Sequence, residues 1–245
     1  MHIDFHTHAN LSRKSPITLD EFIKKMEEAS LNGLDALALT ENVNHPNFTN
    51  LYNMLDHNFS YENDYYDVNG LKVFPGMQVD VKDKGSFLII ANRETIKLIY
   101  KKLSLQENEI HADELMELIH HNHVLKIAAH PLRQSNPWLH HKEETLKQFD
   151  ALEINGKDLY RYGNTMKTEM EALASHLQIG AVSGSSADQR FHYGCIFNEI
   201  PECTTIDQLK KAILEKEYKV HVSPFLHPKI KAANFVSMFF RKKAV

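Results

Sequence analysis

Two histidines separated by one residue follow a short apolar run near the start of the chain. His6 and His8 come directly after residues 3–5, which have the apolar character of a buried strand. Side chains two positions apart on a strand point to the same side, so both imidazoles would face one point. Imidazole is the commonest protein ligand for metal ions and also a general acid or base. The pair therefore predicts a metal site at the end of the first strand.

Other polar side chains follow short apolar runs in the same way. The candidate ligands among them are Glu41, Gln78, His130 and Asp188. A single histidine such as His130 is equally explained by a structural role, and the first two histidines by an exposed pair. The shared position of all these side chains at predicted strand ends favours one common site, because active sites of α/β barrels lie at the carboxyl ends of the strands.

The elements that must position these residues are short and regularly spaced. Seven apolar runs predict strands, at residues 3–5, 36–39, 73–79, 87–90, 126–129, 151–154 and 179–183. Amphipathic patterns between most of them predict helices, the clearest beginning at the capping box of Thr18 and Glu21. This alternation predicts an α/β fold with a mainly parallel sheet. Seven strands are enough for a closed or nearly closed barrel.

Two segments fall outside the strand and helix alternation. Residues 44–70 are rich in Asn, Asp and Tyr, and we interpret them as a loop with one short helix near residues 51–55. This loop would be a surface excursion or a substrate lid. Residues 229–245 combine aromatic and basic side chains, and are predicted to form a helical tail packed on a barrel of residues 1–228. Contact with a membrane surface or a partner is the alternative.

The composition excludes several classes of function. The net charge of −4 gives no strong signal for nucleic acid or an anionic membrane. We expect no export signal and no transmembrane segment, because no run of about 18 apolar residues occurs. Two cysteines favour reduced thiols and a cytoplasmic location. Glycine-rich phosphate loops of dinucleotide-binding and P-loop proteins are missing from the sequence.

The order of the polar motifs resembles that of the PHP (polymerase and histidinol phosphatase) family of metal-dependent phosphoesterases. The motifs are His6-Thr7-His8, Leu39-Thr40-Glu41-Asn42, Pro75-Gly76-Met77-Gln78, Ala129-His130-Pro131 and Gly184-Ser185-Ser186-Ala187-Asp188. The resemblance implies a single distorted (β/α)7 barrel with up to three metal ions at the carboxyl-terminal rim. It also implies hydrolysis in which a metal-bound hydroxide attacks a phosphate ester in line.

The sequence departs from the family pattern at six of the expected ligands. His6, His8 and His130 match. The substituted positions are Arg13, Asn42, Gln78, Ser86, Ser186 and Asp188. Neutral ligands do not offset the repulsion between neighbouring divalent ions. We therefore expect fewer than three ions of zinc, manganese or iron, held by a set drawn from His6, His8, Glu41, Gln78, His130 and Asp188.

Basic side chains near the predicted rim are candidates for binding phosphate. Arg13, Lys14 and Arg133 offer guanidinium or ammonium donors for phosphate oxygens. His192 and His227 are weaker candidates for contacts with the substrate. A solvated surface position is the alternative for each of these five residues.

Two functions follow from the resemblance and its departures. The first is a hydrolase that cleaves a phosphate ester of a small molecule or nucleotide, with His6, His8, His130 and Asp188 as catalytic residues. The second is a catalytically degenerate protein, a pseudoenzyme that binds a phosphorylated ligand or partner without turnover. The matching ligands favour the first function, and the substituted ligands favour the second.

Overall fold

A computed structural model describes residues 1–9, 16–106, 109–120 and 123–242 of the chain, with the backbone alone for residues 237–242. The described residues form these strands: β1 (His2–Thr7), β2 (Ala36–Leu39), β3 (Ser60–Glu62), β4 (Tyr65–Val68), β5 (Leu71–Asp80), β6 (Ser86–Ala91), β7 (Val124–Ala129), β8 (Ala151–Asn155), β9 (Gly180–Gly184), β10 (Ile196–Glu199) and β11 (Lys219–Val222). All seven predicted strands are confirmed.

Helices connect most of these strands. They are α1 (Leu19–Leu31), α2 (Phe48–Asn58), α3 (Arg93–Ser104), α4 (Ala112–Ile119), α5 (Glu143–Leu146), α6 (Gly156–Tyr162), α7 (Thr165–Leu177), α8 (Ile206–Leu214) and α9 (Leu226–Lys242), with one 3-10 turn at Arg190–His192. The predicted capping box of Thr18 and Glu21 begins α1. None of the described helices combines the length and the apolar character needed to cross a membrane.

The sheet curves into a nearly closed barrel of nine strands. Its hydrogen-bonded order is β11-β10-β1-β2-β5-β6-β7-β8-β9. The curve closes where β1, the third strand in this order, passes the segment after β9. There the His8 backbone N–H donates to the Ala187 carbonyl at 2.7 Å. This closure brings the ends of β1 and β9 to the same rim, as a barrel requires.

Among the seven predicted strands of the mainly parallel sheet, β6 runs in the opposite direction to its neighbours. β6 is antiparallel to both β5 and β7, because β5 and β6 are joined by a short turn and not by a crossover helix. The turn uses positive φ angles at Lys84 (66°) and Gly85 (110°). As a consequence, Ser86 at the start of β6 lies at the rim where the parallel strands end.

Residues 44–70 contain the helix that the sequence predicts near residues 51–55, but the rest of the segment is not a loop. They contain α2 and a hairpin of β3 and β4 that continues the sheet through pairing of β4 with β5. Leu51, Leu55 and Tyr66 from this segment are buried in the core. An element that supplies core residues does not act as a lid, since opening it would expose apolar surface. The expectation of a surface excursion or lid was wrong.

The buried apolar side chains form two clusters on opposite faces of the sheet. Leu37 and Leu39 belong to one cluster, whereas Ala36 and Ala38 belong to the other, as the alternation of side chains along a strand requires. The helix α9 begins at Leu226, three residues before residue 229, where the sequence predicts the start of the tail. Its Leu226, Ile230 and Ala233 are buried.

Candidate metal centre

His6 lies fully buried at the end of β1, and its imidazole is held by Glu153 of β8. The distance between His6 Nδ1 and Glu153 Oε1 is 2.8 Å, and the other carboxylate oxygen accepts the His130 backbone N–H at 2.6 Å. An ionised carboxylate only accepts, so we assign the His6 proton to Nδ1, and Nε2 presents a lone pair. Burial also lowers the pKa of His6, which keeps the ring neutral.

Glu153 is ionised although it is buried. Burial by itself would raise the pKa of this carboxyl, but the neighbouring His6 and the hydrogen bonds hold it below its usual value. Asn155 contributes one of these hydrogen bonds, donated from Nδ2 to Oε1 at 2.8 Å. A carboxylate behind an imidazole is the usual arrangement that orients a metal-ligating histidine.

Two further electron-pair donors lie beside His6 Nε2, which makes a group of three donor atoms. His8 Nε2 lies 3.1 Å from His6 Nε2, and Gln78 Oε1 lies 3.2 Å from the same nitrogen. Glu41 Oε1 is 3.7 Å from His8 Nδ1, and this nearby negative charge favours a proton on Nδ1 of His8. The Gln78 amide is oriented by Asp80, whose Oδ1 accepts from Gln78 Nε2 at 2.9 Å. Lone pairs at such spacing repel unless a cation or a proton lies between them.

Two further polar atoms near this point have no hydrogen-bond partner among the described residues. They are His130 Nδ1 and Glu41 Oε2, and both are buried. The His130 ring centre lies 6.0 Å from that of His6. Burial lowers the pKa of the His130 imidazole to about 3, so it is neutral. Its φ of +35° is rare for a non-glycine residue and is held by the hydrogen bond to Glu153.

The donor set fits one cation and does not fit a cluster. Within the described ranges, no three His, Cys, Asp or Glu side chains stand close enough together to hold a metal ion. The third donor beside His6 and His8 is the neutral amide oxygen of Gln78. Its spacing from His6 is comparable to that of ligands around one ion with metal–nitrogen distances of about 2.0–2.1 Å.

Three of the substituted positions, Asn42, Gln78 and Ser86, share one hydrogen-bond partner. This partner is the carboxylate of Asp80, which the sequence did not single out for that role. Asn42 Nδ2 donates to Asp80 Oδ2 at 3.0 Å, and Gln78 Nε2 and Ser86 Oγ both donate to Oδ1. Asn136 Nδ2 in turn donates to Ser86 Oγ at 2.8 Å. The sequence signal was the position of Asp80, two residues beyond Gln78 on the same face of β5.

Asp188 takes part in a separate group of charges. Its carboxylate lies 2.9 Å from His192 Nδ1 and 3.2 Å from Lys157 Nζ. Burial would raise the pKa of Asp188, but these two partners hold it well below its usual range. The described contacts of Asp188 do not include His6 or His8, whereas Ser186 Oγ lies 3.5 Å from His6 Nε2. A ligand role for Asp188 stays a prediction.

Three of the five predicted substrate-binding residues lie in the described part of the chain, each in a different segment. Arg133 donates to Asp158 Oδ1 at 3.1 Å and to Asn155 Oδ1 at 3.3 Å. His192 is buried, whereas His227 is exposed on α9 with its ring 5.2 Å from that of Tyr160. Arg13 and Lys14 lie outside the described residues.

Gly184, at the end of β9, allows this strand to pass close behind His6 and Glu153. A Cβ at Gly184 would lie 2.4 Å from His6 Cβ and 2.5 Å from Glu153 Oε1. Any side chain at this position would displace the imidazole or its carboxylate. Gly184 therefore belongs to the structural requirements of the site.

Comparisons with known proteins agree with this geometry. The profile of the family described as "PHP domain" matches residues 4–179. A search of curated proteins found no match. PsfC from Pseudomonas syringae PB-5123 has a TM-score of 0.79 at 17% identity, over 100% of this chain and 98% of PsfC.

Two other solved structures share the fold. The lesion-specific endonuclease PfuEndoQ from Pyrococcus furiosus has a TM-score of 0.66 at 18% identity, over 89% of this chain and 57% of PfuEndoQ. An amidohydrolase from Chromobacterium violaceum has a TM-score of 0.52 at 13% identity, over 89% of this chain and 98% of its own. These identities show a common fold alone. Since the family profile covers well over half of the chain, the protein belongs to the PHP domain family, a family of hydrolases.

Proposed function

We propose that the protein is a metal-dependent phosphoesterase that hydrolyses a phosphate ester of a small molecule or nucleotide with one divalent cation. The observation that carries this proposal is the convergence of His6 Nε2, His8 Nε2 and Gln78 Oε1 at the rim of the barrel. Two imidazoles and an amide oxygen suit zinc, iron or manganese. Membership of the PHP domain family supports the choice of a hydrolase.

Each residue of the centre has a distinct task in this proposal. His6, His8 and Gln78 would hold the cation, and Glu153 fixes the tautomer and direction of His6. When bound, such a cation lowers the pKa of a water molecule and polarises a phosphate oxygen. His130 offers a neutral, buried imidazole whose Nδ1 has no hydrogen-bond partner among the described residues.

Positive charge for the substrate would come from side chains around this point. Arg133 is 24% exposed in its side chain, and two of its three nitrogens, Nε and Nη2, make described hydrogen bonds. This arrangement leaves Nη1 of a preoriented guanidinium for a phosphate oxygen. Asp188, as a proposed catalytic residue, would act together with Lys157 and His192, to which it is paired.

A second candidate function is binding of a phosphorylated ligand without turnover. It is favoured by the neutral side chains Asn42, Gln78 and Ser86, all of which donate hydrogen bonds to Asp80. In the family pattern these positions would hold metal ions. A site with one weakly held cation retains affinity for phosphate more easily than it retains catalysis, because catalysis needs stabilisation of the transition state.

The experiment that tests the proposal measures metal content and hydrolysis on the same preparation. Protein purified without chelators or affinity-tag metals should contain close to one equivalent of a divalent metal. The substrate panel should include phosphomonoesters, phosphodiesters and nucleotides. It should also include an abasic DNA duplex, because a solved structure of endonuclease Q holds such a duplex. PfuEndoQ is much longer than the aligned region, so this substrate ranks last.

His8→Ala should remove both the metal and the hydrolysis. The matched control is His57→Ala, which removes an exposed imidazole of α2 that bonds only within its helix. Retained hydrolysis in metal-free His8→Ala protein would contradict the mechanism. One bound metal and tight phosphate-ester binding without turnover on the whole panel would establish the second candidate function.

A further inference from the structure

We infer that Asp80 is a positioning residue that turns the amide oxygen of Gln78 toward His6 and His8. The inference rests on the proposed function, because the atoms so positioned are the proposed cation ligands. It adds a residue that the family resemblance does not single out. The juxtaposition that carries it is the Asp80 carboxylate on one side of the Gln78 amide and the lone pair of His6 Nε2 on the other.

The orientation of an amide group is decided by what surrounds it. Gln78 Nε2 donates to Asp80 Oδ1 at 2.9 Å, so the amide oxygen points to the other side, 3.2 Å from His6 Nε2. In the opposite orientation, the NH2 group would donate to the lone pair of His6 and fill the position of a cation. The oxygen would then face the negative charge of Asp80. A charge-assisted hydrogen bond therefore selects the orientation that can bind a metal ion.

Asp80 is itself held in place by donors from two other elements. Asn42 Nδ2, beyond β2, donates to Oδ2 at 3.0 Å, and Ser86 Oγ at the start of β6 donates to Oδ1. Asn136 secures the Ser86 hydroxyl at 2.8 Å. Asn42 and Ser86 donate hydrogen bonds to the Asp80 carboxylate. In the family pattern, the residues at these two positions would instead bind metal ions. The network thus leaves one cation site, with Asp80 behind its third ligand.

The first test measures binding of Mn²⁺ and Zn²⁺ by calorimetry to metal-free protein. Asp80→Ala removes both acceptor oxygens and should weaken binding by about 10- to 100-fold, as loss of a group that orients a ligand usually does. Asp80→Asn retains one acceptor oxygen and should give an intermediate affinity. The control Asp67→Ala removes a carboxylate that accepts only the Gly70 N–H in an exposed turn, and should leave binding unchanged.

The same Asp80 substitution in a Gln78→Glu protein distinguishes loss of Gln78 orientation from general damage to the site. Gln78→Glu presents oxygen in either orientation, so Asp80→Ala should no longer weaken binding in that background. An equal loss of affinity with Gln78 and with Gln78→Glu would overturn the positioning role. Equal affinity of Asp80→Ala and the unmodified protein would overturn it as well.

A readout without metal distinguishes failure of this inference from failure of the proposed function. In metal-free protein, the side-chain NH2 resonances of Gln78 should shift and exchange faster in Asp80→Ala, and not in Asp67→Ala. The unmodified protein could bind neither metal while Asp80→Ala still changed the Gln78 resonances. In that case the proposed cation would be wrong and the orientation of Gln78 by Asp80 would stand. Unchanged Gln78 resonances in Asp80→Ala would overturn the inference whatever the metal content.

Discussion

At the scale of single residues, the chain contains the same chemical pair in two environments. His6 and Glu153 are 2.8 Å apart and fully buried, whereas His221 and Glu199 are 2.7 Å apart on the surface. Water competes for the exposed pair, so that pair contributes little to stability. The buried Glu153 carboxylate also accepts the His130 N–H. Loss of this carboxylate would leave the donors around it without an acceptor.

We predict that Glu153→Gln weakens divalent-metal binding by about 10- to 100-fold. It should also lower the free energy of unfolding by about 2–3 kcal/mol at neutral pH, because one amide NH2 must face another donor. Calorimetry with Zn²⁺ and urea denaturation measure the two effects. Glu199→Gln is the control and should change neither to a comparable degree. Equal effects of the two substitutions would contradict the role given to Glu153.

The pH dependence of stability provides a separate check on Glu153. Its folded-state pKa lies below the usual value, so its contribution is present above the ordinary glutamate pKa. That contribution is lost as the pH falls from there toward about 2. The difference in unfolding free energy between the unmodified protein and Glu153→Gln should therefore shrink on acidification. A difference that grew as the pH fell would show that Glu153 is protonated in the native state.

At the scale of elements, the barrel depends on the seam between β1 and β9. These strands do not form a regular ladder, and Asn198 of β10 lies between them below the site. Its Oδ1 accepts the Ser183 N–H at 2.7 Å, and its Nδ2 donates to the carbonyls of Ile3 and Ser183. One buried side chain thus satisfies the backbone of two strands that carry the candidate metal centre.

We predict that Asn198→Ala lowers the free energy of unfolding by about 3 kcal/mol, because it leaves several buried backbone groups without partners. Asn58→Ala is the control, since Asn58 is exposed and its side chain donates only to the Met54 carbonyl within α2. Urea denaturation with fluorescence of the single, buried Trp138 measures both. A loss below about 1 kcal/mol at Asn198 would show that water replaces its hydrogen bonds.

At the scale of the whole molecule, binding of the proposed cation would couple the site to global stability. The donors come from β1 and β5, and the supporting carboxylate comes from β8, so unfolding separates them all. A ligand that binds only the folded state stabilises it in proportion to the logarithm of its concentration. Metal binding at this site is therefore measurable as a change in the melting temperature.

We expect a metal concentration of roughly 100 times the Kd to stabilise the protein by about 2.7 kcal/mol. For a chain of this size, the melting temperature should then rise by roughly 5–10 °C, and a chelator should reverse the rise. His8→Ala should abolish the increase, and His57→Ala should retain it. An increase of the same size in His8→Ala would place the bound metal elsewhere.

The sequence was sufficient to predict features that depend on short segments of chain. Each of the seven strands was found because its residues are buried on both faces and read as a short apolar run. The His6 and His8 pair was found because alternation along a strand places both rings on one side.

Features that depend on contacts between distant segments, such as strand direction and side-chain hydrogen bonds, were decided by the tertiary structure. Residue type does not reveal strand direction, so the reversal of β6 could not be predicted from the pattern of apolar runs. Hydrogen bonds between side chains from β2, β5 and β6 decide that Asn42, Gln78 and Ser86 donate to Asp80. The sequence by itself determined the fold class, the resemblance to the family and the pairing of His6 with His8 at one strand end, because short patterns encode them. The tertiary structure alone decided the polarity of the site around Gln78, because an amide takes its orientation from neighbours that the fold brings together.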